Sequence, residues 1–165
     1  MARSGRLLKV ESELEYIDNY VENDDFDSIK MLLNAFGVDC YNTYGRTFLI
    51  LAAAKGNEVV LNYLIEAKSN LNFQDKNGYT ALHFASQNGH YAIIETLIKN
   101  GADLNMKDVY GNPPIWTAIM NTKDDFSIVK ILLLNNADIE SENNYGKSPK
   151  KLWHMRFDYD ITEIL

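Results

Sequence analysis

Glycine recurs in this chain at a fixed interval. Gly45, Gly78, Gly111 and Gly146 stand 33, 33 and 35 residues apart, and each closes a short turn sequence: NTYG, DKNG, DVYG and NNYG. Two residues after the first, second and fourth comes Thr47, Thr80 or Ser148; after the third comes Pro113. A period of this length predicts an array of stacked supersecondary units rather than one closed core. Residues 45–72, 78–105 and 111–140 then align as successive copies, the third with two extra residues near 121–125.

Each copy has a physical reading. Thr47, Thr80 and Ser148 are hydroxyl residues able to cap a helix by accepting from an orphan N–H. Short helices rich in small residues are predicted over 49–54, 82–86 and 115–119, where alanines such as Ala52, Ala53 and Ala85 let neighbours approach. Gly56 and Gly89 suit the positive φ that ends a helix, and Gly101 closes the best-formed copy. A second helix follows in each copy. It carries apolar residues at helical spacing: Val60, Leu61, Leu64 and Ile65; Ile93, Ile94, Leu97 and Ile98; Ile128, Val129, Leu132 and Leu133.

These residues resemble ankyrin repeats. Gly78-x-Thr80-Ala81-Leu82-His83-x-Ala85 is similar to the family's G-x-T-P-L-H-x-A, with Ala81 where proline is usual. Gly89-His90 and Gly101-Ala102-Asp103-Leu104-Asn105 resemble its G-H and G-A-D-V-N elements. The copy from Gly45 lacks the histidine, and the copy from Gly111 has Pro113-Pro114 and places Trp116 there. The resemblance implies an all-α solenoid of stacked helix-turn-helix units with β-turn or hairpin fingers. Residues 1–13 read as a tail, followed by a single domain of units 14–42, 43–75, 76–108, 109–143 and 144–165. The terminal units read as caps. The first keeps two helices but not the motif, and its outer face is acidic (Glu11, Glu13, Glu15, Asp18, Glu22). The last replaces the apolar pair by Lys150 and Lys151 and is expected to stop in mid-helix at DITEIL.

Composition narrows the function. The chain has 165 residues, 46% of them hydrophobic and 24% charged, enough apolar material for a core. A formal net charge of −7 argues against nucleic acid, which needs a basic face; a basic protein partner is compatible with it. One cysteine, Cys40, permits no internal disulfide and suits a reducing, cytoplasmic compartment. No signal peptide or membrane-length apolar run is visible.

Catalytic signals are weak. His83 is expected to bond locally near Thr80, His90 lies in an interhelical turn, and His154 stands alone. None has a second group spaced to form a triad. Cys40 has no partner for a zinc site, and no phosphate-binding glycine motif occurs. The reading is a protein with no enzymatic activity, cofactor or metal.

Binding fits better. The resemblance implies turns that project as fingers beside the short helices and make a concave face. The expected contact residues there are Tyr44, Arg46, Lys76, Asn77, Tyr79, Gln87, Asn88, Tyr110, Asn112, Trp116, Met120, Tyr145 and Lys147. Tyr, Trp, Met and Arg are enriched at protein interfaces. Tyr79 and Trp116 depart from the repeat pattern and are expected as anchors. A chain made of repeats and caps would act by occupying another protein. The preferred role is a stoichiometric inhibitor, such as an immunity protein against a toxin or enzyme. An adaptor or a chaperone-like holder is the alternative. Capped ends predict a monomer.

Overall fold

The computed structural model describes residues 13–165; residues 1–12 of the expected tail, Glu11 among them, lie outside these. A single 3-10 turn, Leu14–Tyr16, leads into α1 (Ile17–Glu22) and α2 (Phe26–Phe36). Three helix pairs follow: α3 (Phe48–Lys55) with α4 (Glu58–Glu66), α5 (Ala81–Asn88) with α6 (Tyr91–Lys99), and α7 (Pro114–Asn121) with α8 (Ser127–Leu134). The chain closes with α9 (Pro149–Arg156) and a 3-10 turn, Ile161–Ile164. The helix pairs stack in chain order as an all-α solenoid. The first helices of successive units form one row, α1, α3, α5, α7 and α9, and α4, α6 and α8 form the second.

The short helices pack closely because their contact faces are small. Ala52, Ala53, Ala81, Ala85 and Ala118 are all buried. The second row supplies the bulk: Leu61, Leu64, Ile94, Leu97 and Leu132 are sealed from solvent. No unit could bury such a face alone.

Capping follows the hydroxyl reading. Thr47, Thr80 and Ser148 accept from Ile50, His83 and Lys151 N–H respectively. At Thr80 the bond is reciprocal: its own N–H donates to His83 Nδ1 at 3.1 Å. His83 Nε2–H donates to the Asn112 carbonyl at 3.1 Å, which ties this unit to the next. Burial of the ring lowers the His83 pKa, so the imidazole is neutral with its proton on Nε2. The third copy has Pro113 instead, and α7 starts without a side-chain cap.

The end of the chain departs from expectation. DITEIL does not continue a helix. Asp160 accepts from Thr162 N–H and Glu163 accepts from Asp160 N–H, and this capping box starts a separate 3-10 turn. Phe126, carried by the inserted loop of the preceding unit, meets Trp153, Phe157 and Tyr159 in an edge-to-face cluster. Trp153 is fully buried, and its Nε1–H donates to the Tyr159 carbonyl at 2.9 Å. The last unit is therefore sealed by aromatic packing in place of a second helix.

Candidate functional site

Four finger turns project at the same register, each closed by an Asn or Asp outside the repeat motif. Asn42, Asp75, Asp108 and Asn143 stand three residues before the finger glycines. Each side chain accepts two backbone N–H groups: Tyr44 and Arg46, Asn77 and Tyr79, Tyr110 and Asn112, Tyr145 and Lys147. Each main-chain N–H at these four positions also donates across its finger, at 2.8–3.1 Å. All four side chains are buried. The spacing of Asn or Asp three residues before Gly was the available signal.

Neighbouring fingers are joined edge to edge. Lys76 N–H donates to Tyr44 O, Val109 N–H to Asn77 O, and Asn144 N–H to Tyr110 O, at 3.0–3.2 Å. The approach leaves no room for a side chain at the middle turns. A Cβ at Gly78 would lie 2.9 Å from the Asp108 backbone, and one at Gly111 would lie 2.9 Å from Asn144 N. Among the described residues the only bridge pair is Tyr41 with Thr47, so the fingers are turns rather than developed hairpin strands.

The expected contact residues separate by position. Tyr44, Tyr110 and Tyr145, which precede the glycines, are 65%, 54% and 69% exposed. Lys76, Asn77 and Lys147 are exposed beside them. Residues just after the glycine turn back toward the short helices. Tyr79 is half-buried. It stacks on His83 at 4.9 Å and meets Phe84 edge-on at 5.3 Å. Burial, reinforced by Asp108, raises its pKa. Asn112 is also half-buried, accepting from Asn143 Nδ2 at 2.7 Å. Trp116 is half-buried against the core. Tyr79 and Trp116 are thus not projecting side chains: one sits past its glycine, and the other occupies the helix position that His83 holds in the preceding unit.

The far ends of the short helices carry a different set. Asn88 Nδ2 donates to Ala54 O at 2.7 Å, and Arg156 donates to Met120 O and Thr122 O at 2.6 and 2.8 Å. Both satisfy helix-terminal carbonyls of the preceding unit. Met120 is 49% exposed. Gln87 and Asn88 line a cleft of about 440 Å³ with Asn121 and the inserted loop 122–125, away from the finger tips.

Asp75 is the finger carboxylate that also holds a cation. Its Oδ1 accepts the two N–H groups, and its Oδ2 pairs with Arg46 Nε at 3.4 Å. Asp75→Ala is expected to destabilise the protein by about 1–3 kcal/mol through lost charge-assisted bonds. Asp75→Asn should cost under about 1 kcal/mol, because Asn42 and Asn143 already perform the Oδ1 role. Urea melts of the two variants check this; equal losses would assign the stabilisation to the Arg46 pair instead of the turn.

Other chemistry finds little purchase. Cys40 is buried and its thiol is pushed up to about 11 by desolvation, so it is not a thiolate at neutral pH. Among the described residues no group of three or more His, Cys, Asp or Glu side chains could hold a metal ion, and no helix is long and apolar enough to cross a membrane. Four of the acidic residues at the N-terminal end are engaged within the chain. Glu13 accepts from Tyr20, Glu15 from Thr43, Asp18 from Asn42, and Glu22 pairs with Lys55.

A family model described as ankyrin repeats, in three copies, matches residues 19–108. M-phase phosphoprotein 8 from Rattus norvegicus, Mus musculus and Homo sapiens is in each case 37% identical over 65 residues. That match covers 38% of this chain and 8% of the relative, so the likeness concerns one small part of those proteins. The family match takes in the first unit, whose sequence lacks the motif, and the finger turns and helices continue past it to the C-terminal unit. With the matched span exceeding half its length, this chain belongs to the ankyrin repeat family, a protein–protein interaction module.

Proposed function

We propose that this chain is a non-catalytic inhibitor that occupies one protein partner through its finger row, in the manner of an immunity protein. The carrying observation is the line of three outward tyrosines, Tyr44, Tyr110 and Tyr145, at one register on joined fingers. Tyrosine brings large contact area at low entropic cost, and a backbone fixed in advance reduces the ordering penalty of binding. Lys76, Asn77 and Lys147 supply the polar surround, and half-buried Arg46, Tyr79, Asn112 and Trp116 form the floor. Gln87, Asn88 and Met120, further from the tips, belong to the rim of such an interface.

The adaptor alternative needs a second face, for which the acidic first unit is the candidate. The internal bonds of Glu13, Glu15, Asp18 and Glu22 weigh against it. A monomer working in the cytoplasm is the form this reading takes, and one buried thiol suits that compartment.

Capture from host lysate with the tagged chain, followed by activity assays of the captured partner, tests the role. Loss of the partner's activity at a one-to-one ratio is expected. Two partners retained together would mean an adaptor, and a partner that aggregates when alone would mean a holder. Changing Tyr44, Tyr110 and Tyr145 together to Ala should weaken capture by about 2 kcal/mol or more with an unchanged melt. Full affinity in that variant would move the interface off the fingers.

A further inference from the structure

The net charge of the chain suits a basic partner, but the charges on the fingers do not. The tips, residues 43–46, 76–79, 109–112 and 144–147, contain Arg46, Lys76 and Lys147 and no Asp or Glu. The carboxylates at the finger bases, Asp75 and Asp108, are buried and occupied by backbone N–H groups; the two that reach the fingers from outside are also engaged, Glu142 with Lys151 and Glu15 with Thr43. Lys76 and Lys147 have no ion-pair partner among the described residues.

Arg46 is the most closely held of the three cations. Its guanidinium lies 4.8 Å from the Phe84 ring centre and 5.6 Å from that of Tyr44. Its Nε is held by Asp75 Oδ2 at 3.4 Å, and Asp75 in turn is fixed by the turn. The side chain is 33% exposed. Nε makes the side chain's hydrogen bond, and Nη1 and Nη2 donate none among the described residues. The result is a guanidinium with neighbouring aromatic rings, one anchored edge and an unclaimed pair of donors. Such a fork matches a carboxylate bidentately, and partial desolvation by the rings strengthens the pairing.

We propose that Arg46 is a preset anchor for a side-chain or C-terminal carboxylate in an acidic segment of the partner protein, with Lys76 and Lys147 extending the same preference along the fingers. This inference rests on the finger row being the binding face.

The test uses random dodecapeptides displayed on phage and selected against the immobilised full chain. Enrichment of Asp and Glu is expected. A synthetic peptide of the selected sequence should lose about tenfold in affinity when its carboxylate residue is changed to the amide, and a similar amount against Arg46→Ala. Arg46→Lys should recover only part of the loss, because an ammonium keeps the charge without the fork. The peptide-side change needs no protein variant, so the result stands even if Arg46→Ala folds poorly. Neutral or basic selected sequences, or an acidic peptide held equally well after either change, would overturn the anchor. If such peptides still depended on Tyr44 and Tyr145, the finger row would survive as the interface while its acidic preference fell. Failure to enrich any peptide, or tighter binding of an oligothymidylate than of the acidic peptide, would also overturn it.

Discussion

Trp153→Ala is expected to cost about 3–5 kcal/mol, and the loss should fall first on the C-terminal unit. Trp153 is fully buried in the C-terminal unit. It packs against Phe126 at 5.3 Å, Phe157 at 4.3 Å and Tyr159 at 5.6 Å. Its indole N–H also holds the Tyr159 carbonyl, which fixes the path into the closing 3-10 turn. Alanine removes the centre of this cluster and frees Phe126, which belongs to the preceding unit. In a one-dimensional stack each unit is stabilised by its neighbour, so opening should begin at α9 and spread to α8. Hydrogen exchange of the variant should show loss of protection in α9 while α5 stays protected. Uniform loss across all helices would mean that the cap and the middle of the stack unfold as one unit.

The repeat was legible because its signals are local. Glycine, a hydroxyl residue two positions later, and apolar pairs at helical spacing each act within one turn of chain. Thr80, Gly89 and Leu97 were therefore placed correctly from sequence. Features built between units were read less well. Tyr79 looks like a fourth tip tyrosine, yet it lies beyond its glycine, where the chain has already turned toward Phe84 and His83. Asn88 looks like a contact residue, and its amide caps the helix of the previous unit. The aromatic seal draws on residues 126, 153, 157 and 159, and no periodicity links the first to the others. Its cause is the inserted loop, which displaces Phe126 from the register of its copy. One class of between-unit contact could have been found. Asn42, Asp75, Asp108 and Asn143 recur at the repeat spacing itself, and recurrence of a buried turn residue implies a shared backbone task.

Leu97→Ala and Leu134→Ala should differ sharply although both remove the same atoms from second-row helices. Leu97 is completely buried on α6, which packs between α4 and α8. Its loss leaves a void bounded by three units and is expected to cost about 2–5 kcal/mol, the range set by how far the helices can close in. Collapse is restricted here, because the finger row and the cross-unit bonds to Ala54 O and Asn112 O fix the spacing of the units at both ends. The upper half of the range is therefore the better expectation. Leu134, at the end of α8, is 61% exposed, and its truncation should fall within about 0.5 kcal/mol of wild type. Urea denaturation of the pair separates packing from helix propensity, since alanine is the better helix former at both positions. Similar midpoints for the two variants would place Leu97 outside the inter-unit core and require a different register for α6 against its neighbours.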